Sequence, residues 1–259
     1  MNDILFIETV DSTNRVAREL AGEGKPHGFA VLAGSQTAGR GRLGKAWQSP
    51  PGKGLYCTIL VRPQIAVEDY SKITLTAGLA VGQVMEKICQ LPVQLKWPND
   101  IYVSGRKCGG ILVETSSLQD TDERNFVLVG IGVNINSEKG TFPAELQETA
   151  TSVFIETGME YDIWSLFAPI RERLLQLLAQ LASEGFAAIL NQWRERDMLQ
   201  GRCMKWVTLA GDVVYGESLG VDSSGTLMVR DHAGMSHTVL SGDVTLASKL
   251  SEKMGKADI

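Results

Sequence analysis

The chain has 259 residues, 44% of them hydrophobic and 21% charged, enough to bury a sizeable core and to hold one large domain plus a small one. Its net charge of −5 disfavours general nucleic-acid binding, and four scattered cysteines with only three histidines argue against a structural zinc site. The opening MNDILFIETV is too short and too acidic for a signal peptide, and no run approaches the roughly 18 apolar residues of a membrane span, so a cytoplasmic protein with reduced thiols is expected.

Ile4 to Ile7 reads as a first strand, and Ser12 as the N-cap of a helix with Val16 and Leu20 on one face, ended by Gly22 and Gly24. Ser12, Thr13 and Asn14 therefore sit at a strand-to-helix junction, where such residues most often only cap. Phe29 to Ala33 is a second strand, and Leu55 to Val61 a third. Between them lies Gln36 to Trp47, QTAGRGRLGKAW, the most informative stretch. Gly39, Gly41 and Gly44 spell the dinucleotide fingerprint, and Gly39 to Lys45 most of a P-loop. Both readings fail: Ala46 stands where a P-loop needs Ser or Thr, and Pro50 and Pro51 forbid the helix that both motifs require. What remains is a loop whose glycines let the backbone approach an anion and whose arginines supply forked donors. A solvated basic turn or a nucleic-acid contact fits the same stretch.

Tyr70 to Gln90 carries Ile73, Ala77, Val81, Val84, Met85 and Ile88 at helical spacing and should cover one face of a sheet. Val93 to Glu114 reads as a strand, a break at Pro98, and two strands joined by a tight turn at Ser104 and Gly105. Ser116 to Asn125 is an exposed hairpin loop and Phe126 to Asn136 a further strand; pairing of these strands would bring Lys96, Lys107 and Asn134 together. Ser137 to Ser152 reads as loop. Asp162 caps a long helix that Pro169 is expected to kink, and Phe186 to Asp197 is another helix. The whole is an α+β domain over residues 1–200. From Cys203 to Leu246 short alternating strands broken at Gly211-Asp212, Ser224-Gly225 and Ser241-Gly242 predict a small β-barrel over 201–248, with a frayed tail over 249–259.

With these motifs in hand, in this order, the chain resembles the biotin protein ligases, that is, biotin–[acetyl-CoA-carboxylase] ligases. The resemblance rests on Ser12-Thr13-Asn14, Gln36 to Trp47, Lys96 to Asp100 (KWPND), Arg106 to Glu114 (RKCGGILVE), Gly130 to Asn134 (GIGVN), Phe142-Pro143 and Ala150-Thr151-Ser152, and spans about residues 1 to 250. It implies a central mixed β-sheet flanked by helices, of class II synthetase type, and an SH3-like C-terminal barrel. It implies that biotin and ATP form biotinyl-AMP, and that biotin then passes to a lysine of the carrier domain of acetyl-CoA carboxylase, with Mg²⁺ present and a homodimer as the assembly. Carried over by motif, Ser12, Thr13, Asn14, Gln36, Arg40, Gly41, Arg42, Lys107 and Gly109 would contact biotin. Arg42, Trp47, Lys96, Asn99 and Asn134 would contact ATP or the adenylate, Asp100 would hold Mg²⁺, and Lys107, Arg42 and Arg40 would act in catalysis. The chain enters its first strand within a few residues, so the repressor role of relatives with an N-terminal helix-turn-helix is not expected. Cys108 stands where the family more often has an aliphatic residue. The rivals are a lipoate or other acyl-carrier ligase, a non-catalytic biotin-binding regulator that uses the barrel for partners, and, third, a P-loop nucleotide binder.

Overall fold

The structure, a computed structural model, describes residues 3–115, 125–207, 213–239 and 245–246. Strand β1 (Ile4–Val10) runs parallel to β2 (Ala30–Gln36), which obliges the chain to cross over, and α1 (Thr13–Gly22) makes the crossing. From there the ladder is antiparallel. β3 (Gly54–Val61) pairs with β2; after α2 (Ser71–Cys89) come β4 (Val93–Lys96), β5 (Asp100–Val103), β6 (Arg106–Thr115) and β7 (Val127–Asn134), giving a seven-stranded sheet in the order β1-β2-β3-β7-β6-β5-β4. Three helices follow: α3 (Val153–Thr157), α4 (Ile163–Glu184) and α5 (Ala187–Arg194).

The alternation of side chains along β7 decides where a site can form. Val127, Val129, Ile131 and Val133 point into the main core with α2, α4 and α5, whereas Leu128 packs with α1 residues Ala17 and Ala21 on the opposite face. Continuing along that second face, Gly130 and Gly132 present no side chain. The sheet surface is left bare just beyond the end of α1.

The last strands, β8 (Cys203–Val207), β9 (Val213–Val221), β10 (Leu227–Asp231), β11 (Ser236–Val239) and β12 (Thr245–Leu246), form a separate antiparallel sheet in the order β11-β10-β9-β8-β12. It is fastened to the first sheet by Trp97, whose Nε1–H donates to the carbonyl of Gly225 at 3.0 Å, and by Arg194, which donates to the carbonyl of Val221.

Most expected elements are present, with physical reasons for the differences. Ser12 occupies the N-cap position of α1, but its hydroxyl makes no cap hydrogen bond. Asp162 does cap α4, accepting from Ser165 N at 3.1 Å, and α4 runs through Pro169 as one helix. α3 is not legible in the apolar pattern because it is only five residues long; Ser152 caps it, accepting from Ile155 N. Within the stretch read as loop, short 3-10 turns form at Lys139–Thr141 and Ala144–Leu146. The hairpin loop over 116–124, the Gly211-Asp212 and Ser241-Gly242 turns and the tail over 249–259 lie outside the described residues. Among those described, no helix is long and apolar enough to cross a membrane.

The outer edge of β4 is closed by the chain after α5, with Leu95 N donating to Arg196 O and Leu95 O accepting from Met198 N. Asp197 is held in this seam with a buried Oδ2 that has no hydrogen-bond partner, and burial pushes its carboxyl up to about 6. A carboxyl whose folded pKa exceeds its unfolded value near 3.8 makes the fold less stable above pH 6 and imposes no penalty once pH falls below the unfolded value. Asp197→Asn retains an acceptor for Leu199 N, so we expect it to raise stability at pH 7.5 by about 1–3 kcal/mol, with the gain shrinking toward pH 4; denaturant melts at the two pH values check this. Equal effects at both would show that the carboxylate is not strained.

Candidate functional site

Over the bare stretch of sheet opens a cavity of about 470 Å³. Its floor is glycine: Gly110 of β6 with Gly130 and Gly132 of β7. The closeness is demanding. A Cβ on Gly132 would lie 2.7 Å from the Trp47 indole, and one on Gly130 would lie 2.5 Å from Asn14 Oδ1.

One wall is polar and cross-bonded. Thr13 donates to Gln36 Oε1 through both its N–H (2.9 Å) and its hydroxyl (3.2 Å), and Gln36 Nε2 donates to Ser49 Oγ at 2.9 Å. Behind them Thr58, fully buried in β3, lies 2.8 Å from Thr13 Oγ1 and 2.5 Å from Asn14 Oδ1 with its hydroxyl as donor. Asn14 Nδ2 in turn donates to Glu114 Oε2 at 3.0 Å. The network fixes the rotamers of Thr13, Asn14 and Gln36, while the Ser12 hydroxyl is not spent on capping.

The facing wall is cationic. Lys107 Nζ lies 2.5 Å from Asp100 Oδ1 and 5.7 Å from the centroid of Trp47. Asn99 donates to Ile111 O and accepts from Arg42 at 3.4 Å, which ties the turn after Pro98 both to β6 and to the flap. Lys96 lines the same wall and packs over Tyr102. The flap is not an open loop: Gly41 N donates to Lys45 O and Trp47 N to Gly39 O, so Arg40 and Ala46 pair as in a small hairpin, with Leu43 at its tip 71% exposed. Arg40 reaches back across the cavity edge to Glu114 at 3.6 Å.

Of the residues singled out from the sequence, Ser12, Thr13, Asn14, Gln36, Arg40, Gly41, Arg42, Trp47, Lys96, Asn99, Asp100, Lys107 and Asn134 all line this one cavity. Gly109 does not. The β5–β6 register shifts between Ile101 and Tyr102, pairing Ile101 with Gly109 but Tyr102 with Lys107, so Cys108 is an extra, bulged residue. A bulge reverses the alternation: Lys107 and Gly110 face the cavity, and a Cβ on Gly109 would instead meet Ile101 and Val133 of the core. Asn134 lines the cavity with its Nδ2 already committed to Thr151 O at 2.9 Å.

Sequence reasoning missed Thr58, Glu114 and the floor glycines Gly110, Gly130 and Gly132. A signal existed for three of these: Thr58 is the lone threonine in the apolar run GLYCTILV, and Gly130 and Gly132 of GIGVN recur with the period of a strand face. Cys57 also lines the cavity, but burial pushes its thiol and that of Cys108 up, so neither supplies a thiolate nucleophile. Among the described residues no group of three or more His, Cys, Asp or Glu side chains is placed to hold a metal ion.

The Biotin/lipoate A/B protein ligase family model matches residues 6–136, the segment that builds both walls, the flap and the floor. The chain belongs to that family. Among its relatives, the bifunctional ligase/repressor BirA of Bacillus subtilis (strain 168) is 33% identical over 243 residues, covering 94% of this chain and 74% of that one. The biotin–[acetyl-CoA-carboxylase] ligase of Paracoccus denitrificans is 34% identical over 232 residues, covering 88% of this chain and 95% of its own. Among solved structures, the biotin protein ligase of Aquifex aeolicus in complex with biotin and ATP superposes with a TM-score of 0.82 at 28% identity, over 96% of this chain and all of that one. The family frame therefore extends past the matched segment into the C-terminal sheet.

Proposed function

We propose that this member of the family is an ATP-dependent biotin protein ligase: it joins biotin and ATP to give biotinyl-5'-AMP and pyrophosphate, then transfers biotin to a lysine of a biotin carrier domain such as that of acetyl-CoA carboxylase. The observation that carries this reading is the cavity's division into a hydrogen-bonding wall, a side-chain-free floor and a cationic wall. A ureido ring needs fixed donors and acceptors in a dry pocket, and Ser12, Thr13 and Gln36 supply them. A slender acyl chain can lie on glycines where a branched residue would block it. A carboxylate meeting an α-phosphate brings two anions together, which requires cations at the junction. Lys107 is our candidate for both, first as the biotin carboxylate attacks phosphorus and then as the anhydride collapses on the incoming amine. We assign Arg42, Lys96, Asn99, Trp47 and Asn134, which line the same cavity, to the nucleotide.

Arg40 and Arg42 act in this scheme by closing the flap: the Arg40–Glu114 pair and the Arg42–Asn99 contact hold it over the cavity and keep water from the labile anhydride. Asp100 does not fit a resident metal ligand. Its oxygen is paired with Lys107 and Lys96 lines the same wall, so Mg²⁺ is assigned to the nucleotide's phosphates as part of the substrate. We further infer a catalytic unit over 1–200 and a C-terminal unit over 201–248, a homodimer, a cytoplasmic site of action and no nucleic-acid partner, the last supported by the acidic composition.

The test is pyrophosphate exchange into ATP with biotin and lipoate compared, followed by transfer to a carrier domain. Biotin-dependent exchange with transfer is the expected result. Exchange with lipoate alone would replace biotin by lipoate in this scheme, and exchange with neither would reject the ligase reading.

A further inference from the structure

Glu156 of α3 is a carboxylate only 9% exposed, outside the cavity and without a role in the chemistry above. It accepts from Ser104 Oγ at 2.7 Å, from Arg106 Nη2 at 2.8 Å and from Thr151 Oγ1. Burial by itself would push the carboxyl up, and these donors outweigh it, leaving it below its usual range. A buried charge is costly unless fully satisfied, and an apolar side chain could have packed α3 onto the sheet instead. What the carboxylate adds is geometry, because its three donors come from two separate segments, Ser104 and Arg106 from the turn between β5 and β6 and Thr151 from the stretch before α3.

Each of those segments leads to the site in one step. Ser104 and Gly105, with φ of 50° and 74°, form the turn that starts β6, and Arg106 is the residue before Lys107. Thr151 N donates to Lys107 O at 2.8 Å, and Lys107 N donates to Thr149 O at 2.8 Å, so the lysine's backbone is held on both sides by the segment that Glu156 anchors. The carbonyl of Thr151 also receives the Asn134 amide at 2.9 Å. Lys107 sits beside the Cys108 bulge, where regular ladder bonding to β5 is interrupted and cannot by itself fix the strand.

We propose that Glu156 is a positioning residue for adenylate formation: by clamping Ser104, Arg106 and Thr151 to α3 it sets where Lys107 and Asn134 stand in the cavity. This rests on the ligase reading of the site. Glu156→Gln keeps the shape but removes the charge that Arg106 pairs with and replaces one acceptor oxygen by an N–H₂ that can only donate, so a hydroxyl that now donates must turn to accept. We expect the variant to fold, with biotin-dependent exchange per titrated biotin site reduced about 10- to 100-fold, since a displacement near 1 Å of a reacting group has that effect. Thr151→Val should give part of the loss, and the double variant should lose no more than Glu156→Gln alone. Exchange per titrated site unchanged in folded Glu156→Gln, or losses that simply multiply, overturns the proposal. A readout without substrates separates this from failure of the ligase reading. In the ligand-free protein, the rate of acylation of Lys107 by an amine reagent, followed by peptide mass spectrometry, should change in Glu156→Gln while that of Lys53 does not. Equal changes at both lysines, or none at either, would reduce Glu156 to a packing residue; should Glu156→Gln not fold, Thr151→Val and Ser104→Ala carry the same comparison.

Discussion

Lys107→Ala is expected to lower kcat/KM for biotin-dependent exchange by about 10²- to 10³-fold while leaving the fold intact, the loss typical of a single preorganised charge at a developing anion. The structure says why the fold should survive. Lys107 is held by backbone pairing to Thr149 and Thr151, which alanine retains, and its ammonium meets the partly exposed Asp100 and the face of Trp47. The pair with Asp100 is partly open to water, so its removal should move the melting temperature little. Transfer from preformed biotinyl-AMP should slow as well, because the same ammonium is assigned to both anionic stages. Steady-state exchange, single-turnover transfer and a thermal melt measure the three quantities. Wild-type exchange in the alanine variant would remove Lys107 from the mechanism.

Gly132→Ala should act through one side chain. The strand geometry at this position accepts alanine, and the obstruction to a new Cβ is the Trp47 ring at 2.7 Å. Overpacking of this kind costs about 1–3 kcal/mol when the neighbour cannot yield. Here the neighbour belongs to the flap, so we expect the indole to be expelled from the floor, exchange activity to fall at least about 10-fold, and tryptophan emission to shift to the red. Trp47→Ala should produce a similar loss, and the double variant should be no worse than Trp47→Ala alone, since the obstruction is then gone. Additive losses would mean that Gly132 matters for the ligand directly and not through the tryptophan. The indole Nε1 is buried without a hydrogen-bond partner, so no hydrogen bond of the ring opposes its expulsion from the glycines.

How far the sequence reached can be seen in particular residues. Helices α2 and α4 were legible because a 3.6-residue apolar period over 19 and 22 residues has no competing reading. The β5–β6 turn was legible because Ser104 and Gly105 interrupt alternation where two positive φ angles are needed. Gly109 was carried over with its motif and Gly110 overlooked because nothing local announces that Cys108 is bulged, which turns Gly110 and not Gly109 to the face of Lys107. Glu114 and Glu156 were illegible for another reason: their partners Asn14 and Ser104 lie 100 and 52 residues away, and a carboxylate in sequence looks the same whether it meets water or a clamp. Ser12 illustrates the converse, a residue whose local signal pointed to capping while the folded chain leaves its hydroxyl for the cavity wall.

The hydrogen bond from Trp97 to Gly225 bears on how freely the two sheets can be exchanged between relatives. The indole precedes the turn that presents Asn99 and Asp100, and its acceptor belongs to a glycine 128 positions later, held at φ +84° with Leu75 3.3 Å from where a Cβ would stand. A C-terminal sheet grafted from another family member would have to bring its own carbonyl to that spot, on a residue able to adopt the same left-handed turn. The two halves of the chain are thus interchangeable parts only in matched sets, with the match written in a tryptophan on one side and a glycine on the other.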